Sequence, residues 1–199
     1  EIRREVIALQ DMGHKRLALE VGEDPNHYSL DQMIDDIGYI YSMSVGNSRI
    51  RRINVNSPAA AVNDYRRLRT AGIGTYVLFQ ETYHRKTYES VHTRGPKADY
   101  VYHLTAMDRA MDGGIDDVGI GVLLGLYDFR RDVLALLAHA CHLERTYGVG
   151  PHTVSIPRLR PAPGVNLKEF PHQISDDQFR LVTAVCRLAL PLAGLILST

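Results

Sequence analysis

Helix-like and strand-like patterns alternate six times along this chain, and few folds accept such an order. In residues 1–12 the apolar positions Ile2, Val6, Leu9 and Met12 recur at helical spacing, and Gly13 stops them. RLALEVG follows as a strand. Ser29 and Gln32 form a capping box for a helix over 29–43, with Tyr28 and Met33 as its hydrophobic staple. RINVN is the second strand, and Ser57-Pro58 reads as the start of a third helix with Val62, Tyr65 and Leu68 as its face. GTYVLFQ is the third strand, and a polar loop over 80–100 follows it. Asp99 caps a helix that ends near Gly113-Gly114, before the strand DDVGIGVLLG. Asp128 caps a long helix with Val133, Leu137, Ala140 and Cys141 on one side and Gly148 beyond its end. HTVSIPRLRP is the fifth strand. Ser175 and Gln178 make a second capping box, and LAGLILST is the last strand.

This order implies an α/β fold with parallel strands joined by right-handed crossovers. An open doubly wound sheet and a partial (β/α) TIM-type barrel both satisfy it. Glu20, Asn54, Asn56 and Ser155 interrupt the strands. A sheet covered by helices on both faces reads as nearly continuous apolar runs. The polar interruptions therefore favour a wide or incomplete barrel with one polar face. The chain opens on a helix with no strand before it and closes on a strand, as a piece of a longer barrel does.

The balance of 23 Lys and Arg against 23 Asp and Glu argues against a nucleic-acid footprint or a membrane-surface role. No apolar run reaches the roughly 20 residues of a membrane span, and EIRREVIALQDMG does not read as a signal peptide. A cytoplasmic protein is expected. Cys141 and Cys186 sit in apolar helical runs without metal-ligand spacing and read as small core residues.

Sites on parallel α/β folds lie at the C-terminal ends of the strands. Those ends carry Glu20, Gly22 and Glu23; Asn54 and Asn56; Gln80, Glu81 and His84; Gly119 and Gly121; His152, Ser155, Arg158 and Arg160; and Ser198 and Thr199. Carboxylates for an amino group and arginines for a carboxylate suit a zwitterionic ligand. The GxG of VGIGVLLG is a weak phosphate motif and reads either as close backbone packing or as room for a flat ring. Solvated acids, ion pairs and surface histidines remain open as plain readings of the rest. No Ser-His-Asp order, P-loop or HExxH is present.

The blocks FQETYHRKTYESVHTRGPKADY, HLTAMDRAMDGGIDDVGIGVLLGLYDFRRDVLALLAHACHLE, YGVGPHTVSIPRLRP and GLILST resemble the radical SAM tyrosine lyases over essentially the whole chain. GVGPHTVSIPRLRPA looks more like the hydrogenase-maturating branch, of HydG type, than the 2-iminoacetate synthase branch of thiamine biosynthesis. The resemblance implies a (β/α)8 barrel, S-adenosylmethionine chelated to a [4Fe-4S] cluster, and a 5′-deoxyadenosyl radical. It further implies cleavage of the tyrosine Cα–Cβ bond to p-cresol and dehydroglycine. In the hydrogenase branch dehydroglycine goes on to CO and cyanide. An electron donor and the hydrogenase maturation proteins are the implied partners.

No CxxxCxxC occurs here. Residues 1–199 are therefore expected to supply strands two to seven of the barrel, with the cluster loop and a C-terminal cluster domain outside them. The resemblance sets Glu20, Gly22 and Glu23 near the methionine amino group, and Glu81 with Gln80 at the ribose. It sets Gly119, Ile120 and Gly121 against adenine, Ser155 and Arg158 at the sixth strand end, His152 on a labile iron, and Ser198 and Thr199 on the substrate. A non-catalytic module that binds an adenosine-like ligand is the alternative of another class.

Overall fold

The computed structural model describes residues 1–24 and 26–197. Ser198 and Thr199, expected to grip a substrate, lie outside the described residues. The elements are α1 (Ile2–Asp11), β1 (Arg16–Glu20), α2 (Leu30–Ser42), β2 (Ser44–Val45), β3 (Ser48–Arg49), β4 (Arg52–Asn56), α3 (Val62–Thr70), β5 (Tyr76–Glu81) and α4 (Arg85–Val91). There follow α5 (Tyr100–Leu104), α6 (Ala106–Asp112), β6 (Val118–Val122), α7 (Phe129–Tyr147), β7 (Thr153–Ser155), α8 (Asp176–Ala189) and β8 (Gly194–Ile196). Short 3₁₀ turns occupy Pro96–Ala98 and Leu167–Glu169.

Six strands share one sheet in the order β1-β4-β5-β6-β7-β8. Pairing is parallel at β1–β4, β4–β5, β6–β7 and β7–β8. Strands that follow chain order without reversal are consecutive βα units of a barrel plan, whereas a doubly wound sheet reverses its order at a switch point. The fold class is thus a partial (β/α) TIM-type barrel. The antiparallel pair β2–β3 has no counterpart in the sequence reading. Among the described residues no helix is long and apolar enough to cross a membrane.

The chain divides into two compact units, Glu1–Val77 with Arg109–Asp117, and Leu78–Asp108 with Val118–Thr199. In the first, Val6, Met33, Ile37, Ile53, Val55, Tyr65 and Leu68 are buried. The Ser29 capping box forms as expected, with both reciprocal bonds present. The third helix starts later than Pro58, at Val62. Its leader cannot coil because its backbone is already bonded elsewhere. Tyr76 Oη lies 2.9 Å from the Ser57 carbonyl oxygen and 3.1 Å from that of Pro58. Ala60 N–H donates to Tyr65 Oη, and Arg109 Nε donates to the Ala60 carbonyl. Asn54 accepts from Thr75 N–H and Arg52 Nε, so its strand polarity serves local bonding.

In the second unit every residue of β6 is buried. Asp128 accepts from the N–H groups of Arg130 and Arg131 at the start of α7, and Gly148 closes that helix in the left-handed conformation at φ 77°. The buried face of α7 is Val133, Leu136, Ala140 and Leu143. It is rotated by about one residue from the expected stripe, so Leu136 replaces Leu137 and Cys141 is exposed. Cys186 is buried in α8, as expected. The second capping box, Ser175 with Gln178, also forms.

Candidate functional site

The turn after β5 is the most constrained point of the second unit. Glu81 has φ 66° and is, among the described residues, the one non-glycine with a positive φ. The left-handed region costs an L-residue roughly 1–2 kcal/mol, so something must hold it there. The holding group is Asp132 in the first turn of α7. Thr82 Oγ1 lies 3.0 Å from each carboxylate oxygen and donates to it, and Tyr83 N–H donates to Oδ1 at 2.8 Å. Thr82 Oγ1 in turn accepts from His84 N–H at 3.1 Å. Thr82 and Asp132 are fully buried. Burial pushes the Asp132 carboxyl above the usual carboxylate range, against the Tyr83 and Thr82 hydrogen bonds that favour its charged form.

Two further contacts fix what the turn presents. Lys97 Nζ pairs with Glu81 Oε1 at 2.9 Å, and the Glu81 side chain is 21% exposed. Tyr100 Oη donates to the Tyr83 carbonyl, and Tyr88 Oη donates to the Lys97 carbonyl. His84 stacks on Tyr127 with ring centroids 3.7 Å apart. A mostly covered carboxylate beside an ammonium can accept from the two hydroxyls of a vicinal diol while its charge stays balanced.

The alternation of β5 and β6 separates the expected site residues. Gln80 and Ile120 line a small cavity with His103, Leu104, Met107 and His139, which lie on α5, α6 and α7. Their side chains thus face the helices, on the side of the sheet opposite Gly121. Ile120, 1% exposed, thus offers a ligand its backbone only, and the Gln80 side chain is turned away from Glu81's carboxylate. A Cβ on Gly121 would lie 2.7 Å from Phe79 Cδ1 and 2.8 Å from the Ser155 carbonyl oxygen. Glycine at 121 is demanded by the chain's own packing. Gly121→Ala is expected to cost about 1–3 kcal/mol by overpacking. Denaturant unfolding with an unchanged midpoint would show this packing to be loose.

Ser155 is buried at the end of β7, paired with Gly121 and Ile196. Arg158 lies past β7 and bridges to Leu124. Its guanidinium is committed to Asp176 at 2.6 Å and sits over the Phe179 ring at 4.6 Å. That pairing holds the Asp176 carboxyl below its usual range. Arg158 is thus engaged by a carboxylate of its own chain. His152 lies at the other end of β7 from Ser155. It precedes β7, its N–H bonds the carbonyl of Val118, the first residue of β6, and its carbonyl accepts from Gly194, the first of β8. It therefore stands at the N-terminal edge of the strands, away from the end where Ser155 lies. Among the described residues no group of three or more His, Cys, Asp or Glu is placed to hold a metal ion. In the first unit, Glu20 ends β1 and Gly22 and Glu23 follow it, all three exposed.

Thr82, Asp132 and Lys97 were not foreseen. Asp132 reads in sequence as an ordinary first-turn helix acid, and nothing pairs it with residues 50 positions earlier.

No family model matches the chain. Against the 2-iminoacetate synthase of Escherichia coli (strain K12) it is 32% identical over its whole length, which is 51% of that protein. A crystal structure of HydG, described as a maturase of the [FeFe]-hydrogenase, superposes with a TM-score of 0.97 at 58% identity. It covers the whole chain and is itself 44% covered. Along its entire length this chain is similar to HydG and to a 2-iminoacetate synthase. HydG from Carboxydothermus hydrogenoformans matches at a TM-score of 0.89 and 42% identity, with 46% of its length covered. The chain spans about half the length of the curated relatives it matches. The matched stretch includes the β5 turn, the glycines of β6 and the end of β7.

Proposed function

We propose that the protein carrying this chain is a radical SAM tyrosine lyase of the hydrogenase-maturating branch. It would cleave tyrosine between Cα and Cβ to p-cresol and dehydroglycine, and yield CO and cyanide for the hydrogenase cluster. The observation that carries this reading is the 58% identity to HydG along the entire chain, against 32% to a 2-iminoacetate synthase. We assign residues 1–199 to strands two to seven of the barrel, and the cytoplasm as its location. The electron donor and the maturation partners act on the whole protein.

The residues described here fit S-adenosylmethionine in part and do not fit an iron–sulfur cluster. Cluster ligands are normally thiolates. Cys141 lies on the exposed side of α7 and Cys186 is buried in α8, so the ligands belong elsewhere in the protein. S-adenosylmethionine, when bound, supplies the radical that starts the chemistry. Glu81, set on its strained turn, would accept from the ribose hydroxyls, with Lys97 balancing its charge. The backbone of Gly119–Gly121 and Ser155 would line the adenosine. Glu20, Gly22 and Glu23 are assigned to the methionine amino group on the resemblance alone.

Glu81→Ala in the whole protein is expected to weaken S-adenosylmethionine binding by roughly 10- to 150-fold, the loss of charge-assisted bonds of about 1.5–3 kcal/mol. Titration calorimetry checks it, and an unchanged affinity removes Glu81 from the site. The branch is tested separately. Tyrosine-dependent release of CO and cyanide supports the hydrogenase reading, whereas dehydroglycine accumulating without either gas or cyanide assigns the protein to the 2-iminoacetate synthases.

A further inference from the structure

On the helix-facing side of the sheet, beneath the β5 turn, lies a small cavity of about 10 Å³. Gln80 reaches it from β5, His103 from α5 and His139 from α7, and Leu78, Met107 and Ile120 supply apolar wall. That is about the room one water molecule needs. Gln80 Nε2, His103 Nδ1 and His139 Nε2 are buried there without a hydrogen-bond partner among the described residues. Folded proteins rarely leave three such atoms unpaired at one place.

The chemistry of the three atoms is settled by what lies behind them. His103 Nε2 is 2.9 Å from the Phe79 carbonyl oxygen, so it carries the proton and Nδ1 is a lone pair. His139 Nδ1 is 2.8 Å from Tyr83 Oη. Tyr83 Oη makes no other hydrogen bond among the described residues, so its hydroxyl proton goes to Nδ1 and His139 Nε2 is an N–H. Gln80 contributes an amide N–H. Two donors and one acceptor thus face a space of water size. A bare anion would meet the His103 lone pair and a cation would meet two N–H groups. A water satisfies all three, accepting twice and donating once, within the usual number of bonds to a buried water.

We propose that this cavity is a binding site for one structural water, held by Gln80 Nε2, His139 Nε2 and His103 Nδ1. The water ties the residue before Glu81 to α5 and α7, and so braces the turn from its far side. Burial holds both imidazoles neutral, with each ring pushed down to about 4, as this donor pattern requires.

A crystal structure of the protein at a resolution that shows ordered water, together with ¹⁵N NMR of the histidine rings, tests the site. The expected result is one water peak about 2.7–3.2 Å from all three nitrogens, with His103 and His139 both neutral Nε2–H tautomers. An empty cavity, side chains turned to bond one another directly, or a His139 ring protonated at Nδ1 overturns the proposal.

Discussion

Replacing Asp132 with alanine is expected to lower the unfolding free energy by about 2–6 kcal/mol. The substitution leaves the Thr82 hydroxyl and the Tyr83 N–H buried without their acceptor, and each orphaned donor costs roughly 1–3 kcal/mol. It also frees Glu81, whose φ of 66° needs support from around it. Asp132→Asn keeps one acceptor oxygen for the Tyr83 N–H, and burial already disfavours the charge, so it should lose less than half as much. Thr82→Val shares the same bonds. Its effect and that of Asp132→Ala should therefore be strongly non-additive in a double-mutant cycle. Urea unfolding of the wild type, the three single variants and the double variant gives the answer. A loss below about 1 kcal/mol for Asp132→Ala, less than one orphaned donor costs, would mean that the clamp does not hold the turn.

Acid should destabilise the protein through His103 and His139. Burial is the first cause of both depressed values, each lowered from 6.5 to about 4. For His103 the Phe79 carbonyl opposes the shift and Lys97 adds to it; for His139, Asp108 opposes it and His142 adds to it. The unfolded chain thus binds protons that the folded chain refuses between pH 6.5 and about 4. The stabilising contribution is complete above pH 6.5 and is lost as pH falls through that window. A shift of this size corresponds to about 3 kcal/mol for each ring when the pH lies below both values. Asp132, raised by burial, acts in the opposite sense and offsets part of the loss. Unfolding free energies measured at pH 7.5 and 4.5 should differ by several kcal/mol, and His139→Gln should flatten the profile. Equal stability at the two pH values would show that the rings are not held neutral.

The fold was legible where a helix end carries its own capping chemistry. The capping boxes at Ser29 and Ser175 and the caps at Asp99 and Asp128 are local, and they appear where the sequence puts them. The errors arise where a distant residue decides. Pro58 fails to start α3 because Tyr65, Tyr76 and Arg109 take the backbone groups of its leader. His152 was counted with Ser155 because a three-residue strand hides which end is which. Alternation along β5 and β6 was readable in principle. It would have set Gln80 and Ile120 on the helix side, had Gly121 been taken as the marker of the opposite face. The Thr82–Asp132 clamp was beyond reach, since no pattern joins a strand end to a helix turn 50 residues away.

The most direct test of the central claim is release of p-cresol from tyrosine by the whole protein. The protein would be reconstituted without oxygen with iron and sulfide, then given S-adenosylmethionine, a low-potential reductant and tyrosine. Chromatography should find p-cresol that depends on both S-adenosylmethionine and tyrosine and that falls sharply in Glu81→Ala. Consumption of S-adenosylmethionine with no p-cresol formed from tyrosine would contradict the account.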